Sequence, residues 1–105
     1  MTAKEFILGL PTRVDESTIV GQNTVFHFNI DGDGGGAYTL QIQDGVCSVA
    51  EGMLGEPKCV VTGKDTNIVG IVKGEINPMM ALLTGKIKIS NQGEMLKYAK
   101  ILGLM

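Results

Sequence analysis

The stretch Gly74-Glu75-Ile76-Asn77-Pro78-Met79-Met80-Ala81-Leu82-Leu83-Thr84-Gly85-Lys86-Ile87-Lys88-Ile89 decides how this chain is read. Asn77 is a helix-capping residue, Pro78 suits a first helical position, and Gly85 suits the position past a helix end. Every residue from 78 to 83 is apolar. Lys86-Ile87-Lys88-Ile89 then alternates with period two, so the spacing predicts a short helix feeding a strand with isoleucines inward and lysines outward. Met79, Met80, Leu82 and Leu83 form consecutive pairs and cover much of the helix circumference. A helix that is apolar nearly all round is buried on several sides or borders an apolar space. A packed core, a contact with a second copy and a pocket for an apolar ligand all satisfy this pattern.

Working toward the N-terminus, residues 65–74 read as another helix, capped by Asp65 and ended by Gly74, with Ile68, Val69, Ile71 and Val72 on its apolar side. Before it the period is two. In residues 24–30, Phe26, Phe28 and Ile30 face one way, against Val25, His27 and Asn29. In residues 37–43, Tyr38, Leu40 and Ile42 do the same. The Asp- and Gly-rich turn 31–36 joins these two as a hairpin. Residues 46–50 and 58–62 complete a run of four strands, with 51–57 as a loop between them. Thr2-Ala3-Lys4-Glu5 is a capping box for a first helix that Pro11 stops, and Asp15 or Ser17 caps one more turn. Toward the C-terminus, Asn91 with Glu94 caps a last helix carrying Met95, Leu96, Tyr98, Ala99 and Leu102. Gly103 ends it, and Leu104-Met105 is an apolar tail. Successive strands followed mainly by helices predict an α+β fold: a five-stranded, mostly antiparallel sheet with helices gathered on one face.

At 105 residues the chain reads as a single domain, residues 1–105. Its composition is 44% hydrophobic, enough for a core, yet only 5% aromatic, with six Met and no Trp. Met adapts to irregular space and to varied partners. The net charge of −2 argues against a general nucleic-acid binder. The charge is uneven: residues 1–57 hold eight acids and two bases, net −6, whereas residues 58–105 hold seven lysines and three acids, net +4. The apolar helix lies in the basic half, which suits an anionic headgroup or membrane surface.

The chain offers little for chemistry. Asp31, Asp33 and Gly36 start like a calcium loop, but Gly35 and Ile42 stand where its fifth and twelfth ligands belong. Gly32-Asp33-Gly34-Gly35-Gly36-Ala37 matches a dinucleotide-loop pattern, but a strand follows it rather than a helix. His27 is the sole histidine, expected on the polar surface of its strand. No nucleophile, acid–base pair or metal-ligand spacing stands out, so neither an enzyme nor a cofactor is expected. Cys47 and Cys59 fall on adjacent predicted strands and are read as reduced thiols. With no signal peptide and no apolar run of about 18 residues, the reading is a cytoplasmic protein.

The motif at residues 74–89 resembles that of the sterol carrier protein-2 (nonspecific lipid-transfer) domain family. That family has a helix opened by Asn-Pro, an Ala at its middle, then Gly-Lys-hydrophobic-Lys-hydrophobic. The likeness extends back to Asp44-Gly45 and Gly35-Gly36-Ala37-Tyr38-Thr39-Leu40, and forward into the last helix. It is that of a small bacterial-type single-domain member, and it implies an apolar tunnel between sheet and helices. The tunnel would carry a fatty acid, acyl-CoA, phospholipid or sterol without catalysis. By position, the implied lipid-binding residues are Phe26, Phe28, Tyr38, Leu40 and Ile87 from the strands. From the middle helices come Ile68, Val72, Met79, Met80, Leu82 and Leu83, and from the last helix Met95, Leu96, Ala99 and Leu102. Lys86, Lys88, Lys97 and Lys100 would make transient contact with an anionic membrane, the protein being a monomer or homodimer. The competing reading is a ligand-free structural or accessory module whose apolar helix packs on a second copy or on an enzyme partner.

Overall fold

Strand β1 (Thr24–Asp31) is the centre of a five-stranded sheet ordered β3-β2-β1-β4-β5, with β2 at Gly36–Gln43, β3 at Val46–Glu51, β4 at Cys59–Lys64 and β5 at Ile87–Ile89. The structure, a computed structural model, describes residues 1–104. In the register, Phe26 lies beside Leu40 and Cys59, and Phe28 beside Tyr38 and Val61. Because side chains alternate along a strand, this register gathers the apolar residues of neighbouring strands on one face. The helices cover that face, as the period-two pattern predicts.

The crossing from β3 to β4 departs from a simple run of hairpins. Three strand pairs are antiparallel, but β1 and β4 are parallel. Residues 52–58 carry the chain over the outer face of the sheet, and polar groups on that face hold them. Thr39 Oγ1 donates to the Gly52 carbonyl at 2.7 Å and accepts from Leu54 N–H at 2.8 Å. The Nε2 of His27 meets the Leu54 carbonyl at 2.8 Å. His27 is therefore not a surface residue: it is 6% exposed, covered by the loop that it ties down. The crossing also separates the two cysteines. With β2 and β1 between their strands, Cys47 and Cys59 lie at least about 14 Å apart, too far to bridge; both thiols are free.

At the N-terminus the Thr2/Glu5 capping box forms as read, and α1 spans Ala3–Leu8. Pro11 does not stop it. The break falls at Gly9, and Pro11 sits inside a second short helix, α2 (Leu10–Arg13), where its missing N–H would have no partner in any case. Asp15 caps a single 3-10 turn, Glu16–Thr18, through Ser17 N–H at 3.0 Å. Three further helices follow: α3 (Asp65–Val72), α4 (Pro78–Leu83) and α5 (Gln92–Leu102). Asp65 is the first residue of α3 rather than its cap, and its carboxylate accepts from Gly34 N–H at 2.8 Å. That bond pins the glycine-rich turn between β1 and β2 onto the start of α3.

Candidate functional site

The helices of the C-terminal half are placed by their ends. The N–H of Gly74 bonds the Ile71 carbonyl and that of Glu75 the Gly70 carbonyl; Gly85 and Lys86 bond Leu82 and Ala81 likewise, and Gly103 and Leu104 bond Lys100 and Ala99. Each is a Schellman closure, which needs a left-handed residue. Gly74, Gly85 and Gly103 supply it, with φ of 76°, 76° and 77°. Asn77 caps α4 by accepting from Met79 and Met80 N–H at 2.9 and 3.3 Å. Gly70, inside α3, lets Ile76 fold back against the helix, since a β-carbon there would come within 2.5 Å of the Ile76 side chain. This fold-back sets the angle at which α4 leaves α3.

Under these helices the inner sheet face is hollow on the β4–β5 side. A cavity of about 340 Å³ lies there. Its floor is Val61, Ile87 and Ile89, and α3 contributes Ile68 and Ile71. Pro78, Met79 and Leu82 come from α4; Met95, Leu96 and Ala99 come from α5, with Leu104 just beyond it. Among the described residues only Asn77 and Gln92 bring polar side chains, both at helix starts. Met79 and Leu96 line the cavity and are also 58% and 60% exposed, so they mark its mouth, between α4 and α5. Among the described residues no ionisable side chain lines the space. The arrangement can exclude water from an apolar guest.

Seven residues implied by sequence come together at this cavity: Ile68, Met79, Leu82, Ile87, Met95, Leu96 and Ala99. Eight lie elsewhere. Phe26, Phe28, Tyr38, Leu40 and Leu102 are all at most 3% exposed and belong to the packed core. Val72 is half-buried on α3, away from the cavity. Met80 and Leu83 point outward, 54% and 74% exposed, because a one-turn-and-a-half helix can aim only one stripe inward. Lys86, Lys88, Lys97 and Lys100 are exposed. Lys86 and Lys88 border an outer cleft with Lys64 and Asp31, and the Lys97 ammonium lies 5.7 Å from the Tyr98 ring centre.

Val61, Ile71, Asn77, Pro78, Ile89, Gln92 and Leu104 also line the cavity and are not among the residues that the resemblance implies. Ile71 and Ile89 carried the inward signal of their own periodicity. For Leu104 the signal was Gly103, since the residue after a Schellman glycine usually turns back onto the helix. Met105, read with it as an apolar tail, lies outside the described residues.

Comparison with known proteins places this geometry. The family model described as "SCP-2 sterol transfer family" matches residues 12–104. The chain belongs to this family. Its relatives include the sterol carrier protein 2 of Gallus gallus, 36% identical over 77 residues, 70% of this chain and 14% of the relative. The hydroxysteroid dehydrogenase-like protein 2 of Xenopus tropicalis is 28% identical over 104 residues, 97% of this chain and 25% of that one. The chain thus spans a quarter or less of these curated relatives. Among solved structures, palmitated SCP2L2 of Aedes aegypti superposes with a TM-score of 0.75 at 22% identity, over 97% of this chain and 95% of that one. The sec-alkylsulfatase Pisa1 of a Pseudomonas species gives 0.79 at 21% identity, over 100% of this chain and 16% of that one. Family membership agrees with the α+β sheet-and-helix architecture and with lipid binding as the family's general property. Among the described residues no helix is long and apolar enough to cross a membrane, and no cluster of metal-ligating side chains occurs.

Proposed function

We propose that this chain, acting as one domain over residues 1–105, binds and carries a lipid by burying its apolar chain in the cavity between β4, β5 and α3–α5, without chemistry of its own. The observation that carries this reading is the cavity itself: about 340 Å³ with an apolar lining and a mouth between α4 and α5. Burial is sufficient driving force. Each methylene removed from water contributes about 0.8 kcal/mol, so ten give roughly 8 kcal/mol gross, reduced by the cost of ordering the chain. Ligand pockets commonly span about 300–1,000 Å³. A space near the lower end favours one acyl chain, free or as acyl-CoA or phospholipid, over a rigid sterol. The ligand's polar end would sit at the mouth, beside Asn77 and Gln92. Met79 and Met95 would let chains of different length settle. A family neighbour solved in palmitated form supports an acyl occupant. The exposed lysines would favour an anionic membrane over nucleic acid, and a cytoplasmic monomer or homodimer fits the free thiols.

A second reading, an accessory module of an enzyme, is favoured by the small share of its relatives that the chain spans. Native mass spectrometry of the freshly purified protein tests the first reading. Copurifying fatty acid or phospholipid is expected; a ligand-free dimer that also ignores a fluorescent fatty acid would sink it.

A further inference from the structure

We propose that the outward face of α4, with the facing edge of α5, docks the cavity mouth onto an anionic lipid bilayer; this rests on the lipid-carrier reading above. Four of the largest exposed apolar side chains converge here. Met80 and Leu83 stand 54% and 74% exposed on α4, and Met79 and Leu96 stand 58% and 60% exposed at the mouth itself. On α4, Leu83 lies one turn beyond Met79 and so shares its face; on α5, Lys100 lies one turn beyond Leu96 and shares its face. The apolar rim therefore runs directly into a cation.

Charge identifies the occupant. On α5, Lys97 follows the exposed Leu96 and Lys100 lies one turn beyond it, against a single acid in that helix, Glu94. The Glu94 carboxylate accepts the Thr24 hydroxyl at 2.5 Å and is turned toward the sheet. An apolar patch with lysines beside it is the pattern of a surface that sits at the headgroup level of an anionic leaflet. A second copy fits less well. Four partly exposed side chains fall well short of the roughly 800 Å² per partner of a standard interface. The other short apolar helix is not available for the task, since Ala3, Phe6 and Ile7 of α1 are all buried. Docked in this way, the mouth opens into the acyl region, and a lipid tail reaches the cavity without crossing water.

Flotation with phosphatidylcholine vesicles, with and without phosphatidylserine, tests the proposal on the full chain. Wild type should float with the phosphatidylserine-containing vesicles. The double variant M80E/L83E should lose that binding by more than about tenfold, since both charges must be desolvated. It should keep the wild-type far-ultraviolet spectrum and take up a fluorescent fatty acid from solution unchanged, because neither residue lines the cavity. Lys97→Gln and Lys100→Gln should each weaken vesicle binding about fivefold. Vesicle binding by M80E/L83E equal to wild type would overturn the proposal, as would a wild type that floats with neither vesicle. A wild-type dimer that M80E/L83E dissociates, with no flotation, would assign the face to a second copy instead. Failure of the carrier reading shows separately, as absence of fatty acid uptake by the wild type.

Discussion

The inner face of the sheet has two halves made of the same kinds of strand and filled in opposite ways. Under α1 and α2 the β1–β3 half is solid. Phe26, Phe28, Leu40 and Ile42 meet Phe6, Ile7, Leu10 and Ile19 with no more than 2% exposure anywhere in the set. Under α3, α4 and α5 the β4–β5 half is hollow. The chain has five aromatic residues, Phe6, Phe26, Phe28, Tyr38 and Tyr98, and none lines the cavity. Tyr98 comes from α5, yet it turns toward the solid half, its ring edge-on to Phe26 at 5.8 Å. Where large flat rings are supplied, the space between the layers closes. Where branched aliphatics and Met are supplied under a six-residue helix, it stays open.

That division predicts where substitutions hurt. Phe26→Ala, in the solid half, should destabilise by about 3–5 kcal/mol because the surrounding rings cannot collapse into the hole. Met79→Ala, at the mouth, should cost under about 1 kcal/mol. Denaturant titration of both variants breaks the comparison if their losses are similar. Next in size is a filling experiment. Ala99→Phe supplies the missing ring from α5, and it should lower fatty acid affinity by at least about tenfold while leaving stability unchanged within about 1 kcal/mol. A variant that still binds lipid normally would show that the guest lies elsewhere. Tyr98→Phe is a finer probe. It removes the hydroxyl that donates to Gln22 Oε1 at 3.2 Å and should cost about 1 kcal/mol, with lipid affinity unchanged, because Tyr98 faces away from the cavity.

The same division explains what could be read from the chain. Periodicity located all five strands and the helices from α3 onward, because capping residues and glycines mark their ends locally. It sorted inward from outward residues on the strands correctly, so Phe26, Phe28, Tyr38 and Leu40 are inward as expected. What periodicity does not carry is which part of an inward face is filled. That depends on which helix lies over it, and so on the parallel docking of β4 beside β1, a contact set by the long crossing of residues 52–58. The resemblance to the family supplied a tunnel but not its extent, and four sheet residues were placed along it that belong to the solid half. On α4 the difficulty was different. An apolar residue gives one sequence signal whether it faces a cavity or water, so Met80 and Leu83 looked the same as Leu82. His27 departs from its pattern for a related reason: its strand face is polar in sequence, but a loop distant in sequence covers it.

Cys59 sits on the boundary between the halves, beside Phe26 in the register and two residues before Val61 on the cavity floor, which makes it a reporter for the smallest effect. Burial raises the thiol pKa of both cysteines. A group held protonated in the fold loses stability contribution as pH rises, because the unfolded thiol ionises first. The thiols' contribution to stability should therefore be constant at neutral pH and begin to fall as pH passes the ordinary thiol value of about 8.5. Cys47→Ser and Cys59→Ser should each flatten that decline, since burial is the main cause holding either thiol protonated. Alkylation kinetics at mildly alkaline pH sharpen the comparison. Cys47, half-buried on edge strand β3, should react first. Fatty acid should slow Cys59 further and leave Cys47 unchanged, because a chain in the hollow half damps the openings that expose β4. Equal protection of both thiols would mean that ligand stabilises the whole molecule uniformly, and that the two halves open as one.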